Sequence, residues 1–196
     1  LYDTRRVVLS GLSGEIVLPP TPDGLPEQFD RTPYIAGFRA GGEYFTLLTA
    51  HIRYGAVPAD RIPELQKFAL YTAQELRQRS RSGQSREEPN LLVLGDFNIA
   101  PADLDVYDPE KWHEKILCST PERQWFGQLL NLGLTDSLRH LDAESPSYTW
   151  WDYRMNMFRR KLGLRIDHIL VSAPLLARLH SVSVDTIARG QERPSD

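Results

Sequence analysis

The chain has 196 residues, enough for one domain with a sizeable core. Its 41% apolar and 25% charged residues exclude a disordered chain, and its net charge of −3 excludes a global basic field, so any nucleic-acid contact must be local. Cys118 is the only cysteine, which excludes an internal disulfide and fits a reducing, cytoplasmic compartment; no apolar run is long enough to span a bilayer.

The start at Leu1-Tyr2-Asp3 lacks a Met and reads as the edge of a fragment. Residues 5–9 and 15–18 read as strands, with Ser10 to Gly14 as a turn between them. The proline-rich stretch 19–33 reads as an irregular surface loop. Tyr34 to Phe38 and Tyr44 to Ile52 read as a hairpin closed by Ala40-Gly41-Gly42-Glu43. A helix follows, with Asp60 as its N-cap and Pro63 in its first turn; Leu65, Phe68, Ala69, Thr72 and Leu76 form its buried stripe. Leu91 to Leu94 is an unbroken apolar run, the pattern of a strand buried on both faces.

Residues 99–118 read as mostly loop. Ser119-Thr120-Pro121-Glu122 has capping-box spacing and starts a helix whose stripe is Trp125, Phe126, Leu129 and Leu130, closed by Gly133. Ile166 to Val171 is a strand, Ala173-Pro174 opens a short helix, and Val182 to Ile187 alternates as a last strand. Amphipathic helices among more numerous strands predict an α/β fold of packed sheets with helices outside.

Five segments carry candidate chemistry. After Leu94 and Gly95, Asp96 and Asn98 stand two residues apart, so an extended chain points both side chains the same way. A carboxylate beside a carboxamide suits a hard cation held next to a phosphate oxygen; the plainer reading is an Asx turn closing a strand. His51 and Arg53 share one face of a strand end, with Ile52 and Tyr54 on the other; His51 can donate to a phosphate or a leaving group, or simply face solvent. Tyr148, Trp150, Trp151 and Tyr153 crowd six residues; at least half suit core packing and the rest can stack on a base or a deoxyribose. Arg154, Arg159, Arg160, Lys161 and Arg165 form the one cationic patch, a phosphate-contact candidate or an ordinary solvated loop. Asp167 interrupts an apolar strand start and must be paired, for instance with an imidazole; His168 points to the opposite face.

Gly95-Asp96-Phe97-Asn98, Trp150-Trp151-Asp152-Tyr153-Arg154, Leu164-Arg165-Ile166-Asp167 and Pro194-Ser195-Asp196 resemble the motifs of the endonuclease/exonuclease/phosphatase superfamily. From Ile99 onward, Ala100 to Val106, Leu138-Arg139-His140 and the tryptophan-rich segment resemble its exonuclease III branch, whereas residues 1–98 are closer to a phosphodiesterase-like branch. Tyr54-Gly55-Ala56-Val57-Pro58 departs from the exonuclease III pattern, and the seam near Asn98 reads as a natural mosaic or a chimera.

The resemblance implies a four-layer α/β/β/α sandwich of the deoxyribonuclease-I type, one domain over 1–196, lacking its first strands and its last strand. It implies Mg²⁺ or Mn²⁺ and hydrolysis of a phosphodiester in DNA, as an abasic-site endonuclease or 3′-5′ exonuclease in repair, acting on a duplex without a membrane or protein partner. It assigns catalysis to Asp96, Asn98 and Asp167, with Tyr54 or His51 assisting, and metal contact to Asp96 and Asp196. Trp150, Trp151, Leu164, Arg154 and Arg165 are the implied DNA-holding residues. A Ser-Asp-His histidine and an early glutamate of the family are not found in this sequence, and neither Glu15 nor Glu43 sits in the glutamate's motif. Two alternatives therefore stay open: a phosphate- or nucleic-acid-binding domain without turnover, or an enzyme for a small phosphodiester or phospholipid.

Overall fold

The computed structural model describes residues 3–20, 27–81 and 89–191. Six strands form one mixed sheet: β1 (Val7–Glu15), β2 (Tyr34–Ala40), β3 (Glu43–His51), β4 (Leu91–Asp96), β5 (Leu134–Asp136) and β6 (Asp167–Ser172). Their spatial order is β1-β2-β3-β4-β6-β5. Only β3 and β4 run parallel, and α1 (Ile62–Arg81) makes the crossover between them, as a parallel pair requires. Four further helices are α2 (Pro109–Trp112), α3 (Thr120–Asn131), α4 (Ser137–Leu141) and α5 (Ala173–Leu176).

The predicted turn at Ser10–Gly14 is instead a bulge inside one strand, where the β1–β2 register shifts between Leu9 and Ser13. The partner strand makes room with glycine: a Cβ on Gly37 would come within 2.3 Å of the Ser10 carbonyl oxygen. Gly41-Gly42 closes the β2–β3 hairpin with both residues at positive φ, the geometry of a tight two-residue connection.

Asp60 is not the cap of α1. Its carboxylate turns back to accept from the amides of Ala56 (2.9 Å) and Val57 (3.2 Å), closing a 3₁₀ turn ahead of the helix. Leu65, Phe68, Ala69 and Thr72 are buried, as their spacing predicts. In α3, Glu122 accepts from the Ser119 amide (3.0 Å) and hydroxyl (2.6 Å), holding the start that the sequence marks. Phe126 and Leu129 face inward, and Gly133 ends the turn at φ +95°.

One face of the sheet carries Leu48, Val93 and Leu170, buried against Phe68 of α1 and Phe126 and Leu129 of α3. A second, smaller core gathers Ala100, Val106, Leu117, Cys118, Leu164 and Ile166 beneath the loops. The opposite sheet face is more open; Ile169 is 41% exposed there. Among the described residues there is one sheet with its helical layer, two of the four expected layers.

Val182 to Ile187, expected as a last strand, does not join the sheet: its residues carry no strand pairing. Val182 and Val184 instead lie over the open face near Leu94 and Ile169. No helix among the described residues is long and apolar enough to cross a membrane.

Candidate active site

The register places three chemically capable side chains in one row. His51 of β3 pairs with Asp96 of β4, and Asp96 pairs with Asp167 of β6. Side chains at paired positions share a face. The preceding row, Ala50, Gly95 and His168, points to the helices, so His51, Asp96 and Asp167 project from the opposite, open face. The row sits where the parallel strands β3 and β4 end, at the rim of the sheet.

Gly95 brings these strands together. It has φ +140°, and a Cβ would lie 1.9 Å from the Ala50 carbonyl oxygen. Only a residue without a side chain permits this approach. Gly95 is a strand residue whose missing side chain sets the His51–Asp96 spacing.

Asn98 lies just past the rim, in the left-handed region at φ +50°, which asparagine tolerates. Its amide N–H donates to Asp96 Oδ1 (2.8 Å), the Asx turn expected from the sequence. Its Nδ2 donates to the Ile52 carbonyl (2.8 Å), which ties the end of β4 to the end of β3. Asn98 itself is 5% exposed, and its carboxamide carries a second N–H besides the one given to Ile52.

The electrostatics follow from this crowding. Burial, then the neighbouring charge of Asp167, push Asp96 up to about 6, against the opposing Asn98 N–H and the charges of Arg61 and Arg31. Burial and the charge of Arg31 hold His51 below the ordinary histidine value, while Asp167 works the other way. Arg31 hydrogen-bonds to His51 Nε2. With the guanidinium donating, that nitrogen carries no proton. The 3.5 Å approach of Asp96 Oδ2 to it is then a contact and not an ion pair.

Behind the row lie two buried charge clusters that the sequence does not reveal. Arg61 bonds Glu122, the Arg53 carbonyl (2.8 Å) and the Phe97 carbonyl (2.7 Å). In the other, Arg165 donates to Asp105 Oδ1 (2.7 Å) and Asp136 Oδ2 (2.8 Å) and meets His168 Nδ1 at 3.0 Å. The ring of His168 donates through Nε2 to the Ile99 carbonyl (2.8 Å). Burial drives His168 down to about 4, so it is neutral.

Several expected ligand contacts are relocated. Arg165 is 1% exposed and fully engaged with carboxylates, so it cannot meet a DNA phosphate; the cationic patch reduces to exposed Arg154, Arg159, Arg160 and Lys161. Trp151 is 6% exposed and packs edge-on against Phe158, which makes it a core ring and not a stacking platform. Trp150 is half-buried and paired with buried Leu164 through two 2.9 Å backbone bonds. The aromatic segment is therefore a bridged loop. Tyr54 is 49% exposed, and its hydroxyl meets none of the row's side chains among the described residues. Asp196 lies outside the described residues. Arg31 and Arg61 escaped sequence reading; an arginine in an irregular loop and another at a helix start carry no periodic signal.

Asp96 and Asp167 offer two adjacent hard oxygen donors with excess negative charge, which suits a divalent cation. Among the described residues no three His, Cys, Asp or Glu side chains form a closed cage. That donor set fits an ion that keeps several waters, as Mg²⁺ does.

Residues 20–196 match the Endonuclease/Exonuclease/phosphatase family. Exodeoxyribonuclease III of Haemophilus influenzae is 36% identical over 143 residues, covering 69% of this chain and 52% of that protein. The chain spans about half the length, or less, of the curated relatives it matches. The structure of the 3′ phosphatase NExo from Neisseria, bound to a product DNA hairpin, superposes with a TM-score of 0.74 at 42% identity, over 97% of this chain and 75% of that one. An AP endonuclease from Archaeoglobus fulgidus superposes with a TM-score of 0.75 at 25% identity, with the same coverages.

Proposed function

The chain belongs to the endonuclease/exonuclease/phosphatase family, and from that premise we propose that it hydrolyses phosphodiester bonds in DNA, at abasic sites or at 3′ ends. The row His51–Asp96–Asp167, with Asn98 beside it, is the observation that carries this reading. The similarity to exodeoxyribonuclease III and NExo, one of them seen with DNA, supports DNA as the substrate.

In the metal-free protein Asp96, pushed up to about 6, is mostly ionised at neutral pH, and its carboxylate at the rim can hold a cation or accept a proton from an attacking water. Asn98 presents its remaining N–H to a phosphate oxygen, where charge grows in the transition state. Arg31 adds positive charge at the same edge through its contact with His51. Asp167 supplies the second carboxylate. Asp96 and Asp167 would hold a divalent cation, typical of the family, which when bound would supply positive charge against the charge that grows on the phosphoryl group. Exposed Arg154, Arg159, Arg160 and Lys161 hold the DNA backbone, and Trp150 follows Thr149, whose hydroxyl accepts from the Asp167 amide (3.1 Å).

Incubation with a duplex carrying one abasic site, and with a recessed 3′ end, in Mg²⁺ and in EDTA, tests this. A Mg²⁺-dependent nick or 3′ shortening is expected. DNA binding without cleavage in either condition overturns the enzymatic reading, and cleavage of only a small phosphodiester overturns DNA as the substrate.

A further inference from the structure

We infer that the buried Arg61–Glu122 pair is a positioning device for Asp96 and Asn98, an inference that rests on the functional reading above. Both side chains are fully buried. Arg61 comes from the residue just ahead of α1, and Glu122 from the first turn of α3.

Its three contacts reach three different segments. Nε donates to the carbonyl of Arg53, two residues past His51. Nη2 donates to the carbonyl of Phe97, the residue between Asp96 and Asn98. Nη1 meets Glu122, whose carboxylate also accepts from the amides of Leu117 (3.2 Å) and Ser119 (3.0 Å). One guanidinium therefore fixes the exits of β3 and β4 relative to each other and to α3.

Stability alone does not call for such a pair. Taking two charges out of water is costly, and apolar residues of similar volume commonly hold a core as well or better. What apolar residues cannot do is grip two carbonyls in fixed directions. The Phe97 carbonyl belongs to the peptide that links Phe97 to Asn98. Holding it sets the left-handed turn at Asn98, and through it the Asn98 N–H bond to Asp96. The fork geometry of arginine is required, since a lysine ammonium is a point donor.

The test compares wild type with the double variant Arg61→Met/Glu122→Leu, which leaves no buried charge unpaired, and with Arg61→Lys. Melting temperature, kcat and KM on a 3′-recessed duplex, and hydrogen exchange at the Asn98 amide are measured. The double variant should still unfold in one cooperative transition, at a lower melting temperature, because the Leu117 and Ser119 amides and the Arg53 and Phe97 carbonyls lose their partner. Its kcat should fall at least tenfold with KM within about threefold, and the Asn98 amide should exchange at least tenfold faster. Arg61→Lys should keep the fold and show the same direction of change in kcat and exchange.

A folded double variant with kcat and Asn98 exchange within twofold of wild type overturns the positioning role. If the double variant does not fold, Arg61→Lys decides by the same two readouts. A wild type that cuts no DNA overturns the functional reading instead, and Asn98 exchange still separates the two ideas.

Discussion

Asp96 and Asp167 face each other across the antiparallel β4–β6 pair, two carboxylates in one row with a histidine as the next neighbour. Like charges directly opposite in a sheet are destabilising. The fold tolerates the arrangement at a cost visible in Asp96, which burial and Asp167 together push up to about 6.

This cost gives a prediction with two signs. In the folded, metal-free protein Asp96 holds its proton to higher pH than in the unfolded chain. Its contribution to stability is therefore lost as pH rises from about 4 through about 6, and at neutral pH the ionised carboxylate is a liability on the order of 2–3 kcal/mol. Asp96→Asn should raise the melting temperature in EDTA at pH 7.5 while lowering DNA cleavage by roughly 10²–10⁴-fold. An unchanged or lower melting temperature would remove the electrostatic account of the row.

Gly95 should accept no substitution. In Gly95→Ala the new Cβ would lie 1.9 Å from the Ala50 carbonyl oxygen, on backbone and not on a yielding side chain, at φ +140°. Either β3 and β4 separate or the backbone rotates, and both displace His51 from Asp96. A destabilisation of roughly 3 kcal/mol or more is expected in urea titration. Gly127→Ala is the control: its Cβ meets nothing within 4 Å, and alanine favours its helix.

Much of this arrangement can be read from residues alone, for identifiable reasons. Leu91 to Leu94 carries an uninterrupted apolar signal, and Asp96-x-Asn98 follows it with turn chemistry, so both the strand and the rim pair are local facts. The buried stripes of α1 and α3 are periodic and equally local. Arg165 escapes such reading, because its neighbours in a charge run suggest solvent while its partners, Asp105 and Asp136, lie 60 and 29 residues away. Arg61 is hidden for the same reason, since Glu122 is 61 residues distant. Strand β5 is only three residues long and gives no alternation to detect. Val182 to Ile187 has the alternation of a strand, but its apolar side chains cover the open sheet face at Leu94 and Ile169 and pair with no strand among the described residues.

His168 makes the fold acid-sensitive. Buried beside Arg165, it stays neutral down to about pH 4, whereas in the unfolded chain it takes up a proton near 6.5. Between these values the unfolded state binds more protons, so stability rises with pH across that window and is lost as pH falls through it. The loss from this one group is on the order of 3 kcal/mol. Its ring signals in NMR should not move until the pH approaches 4. A ring that titrates near 6.5 in the folded protein would show that the Ile99–His168–Arg165 chain is not closed.

The division of the cationic segment into exposed and buried arginines is measurable through salt. Arg154 has an 88% exposed side chain beside Asp152, whereas Arg165 has a 2% exposed one beside Asp105 and Asp136. A phosphate contact releases counterions, so removing one lowers the slope of log K against log salt by about 1. On a duplex in Ca²⁺ or EDTA, Arg154→Ala and Arg160→Ala should each weaken binding and reduce that slope. Arg165→Met should leave the slope unchanged and instead lower the melting temperature, since it takes the guanidinium away from buried Asp136 and leaves buried Asp105 with Arg139 as its remaining arginine, a loss of roughly 3–5 kcal/mol. A slope that falls in Arg165→Met as it does in Arg154→Ala, with no change in melting temperature, would return Arg165 to the DNA-contacting surface and contradict its burial.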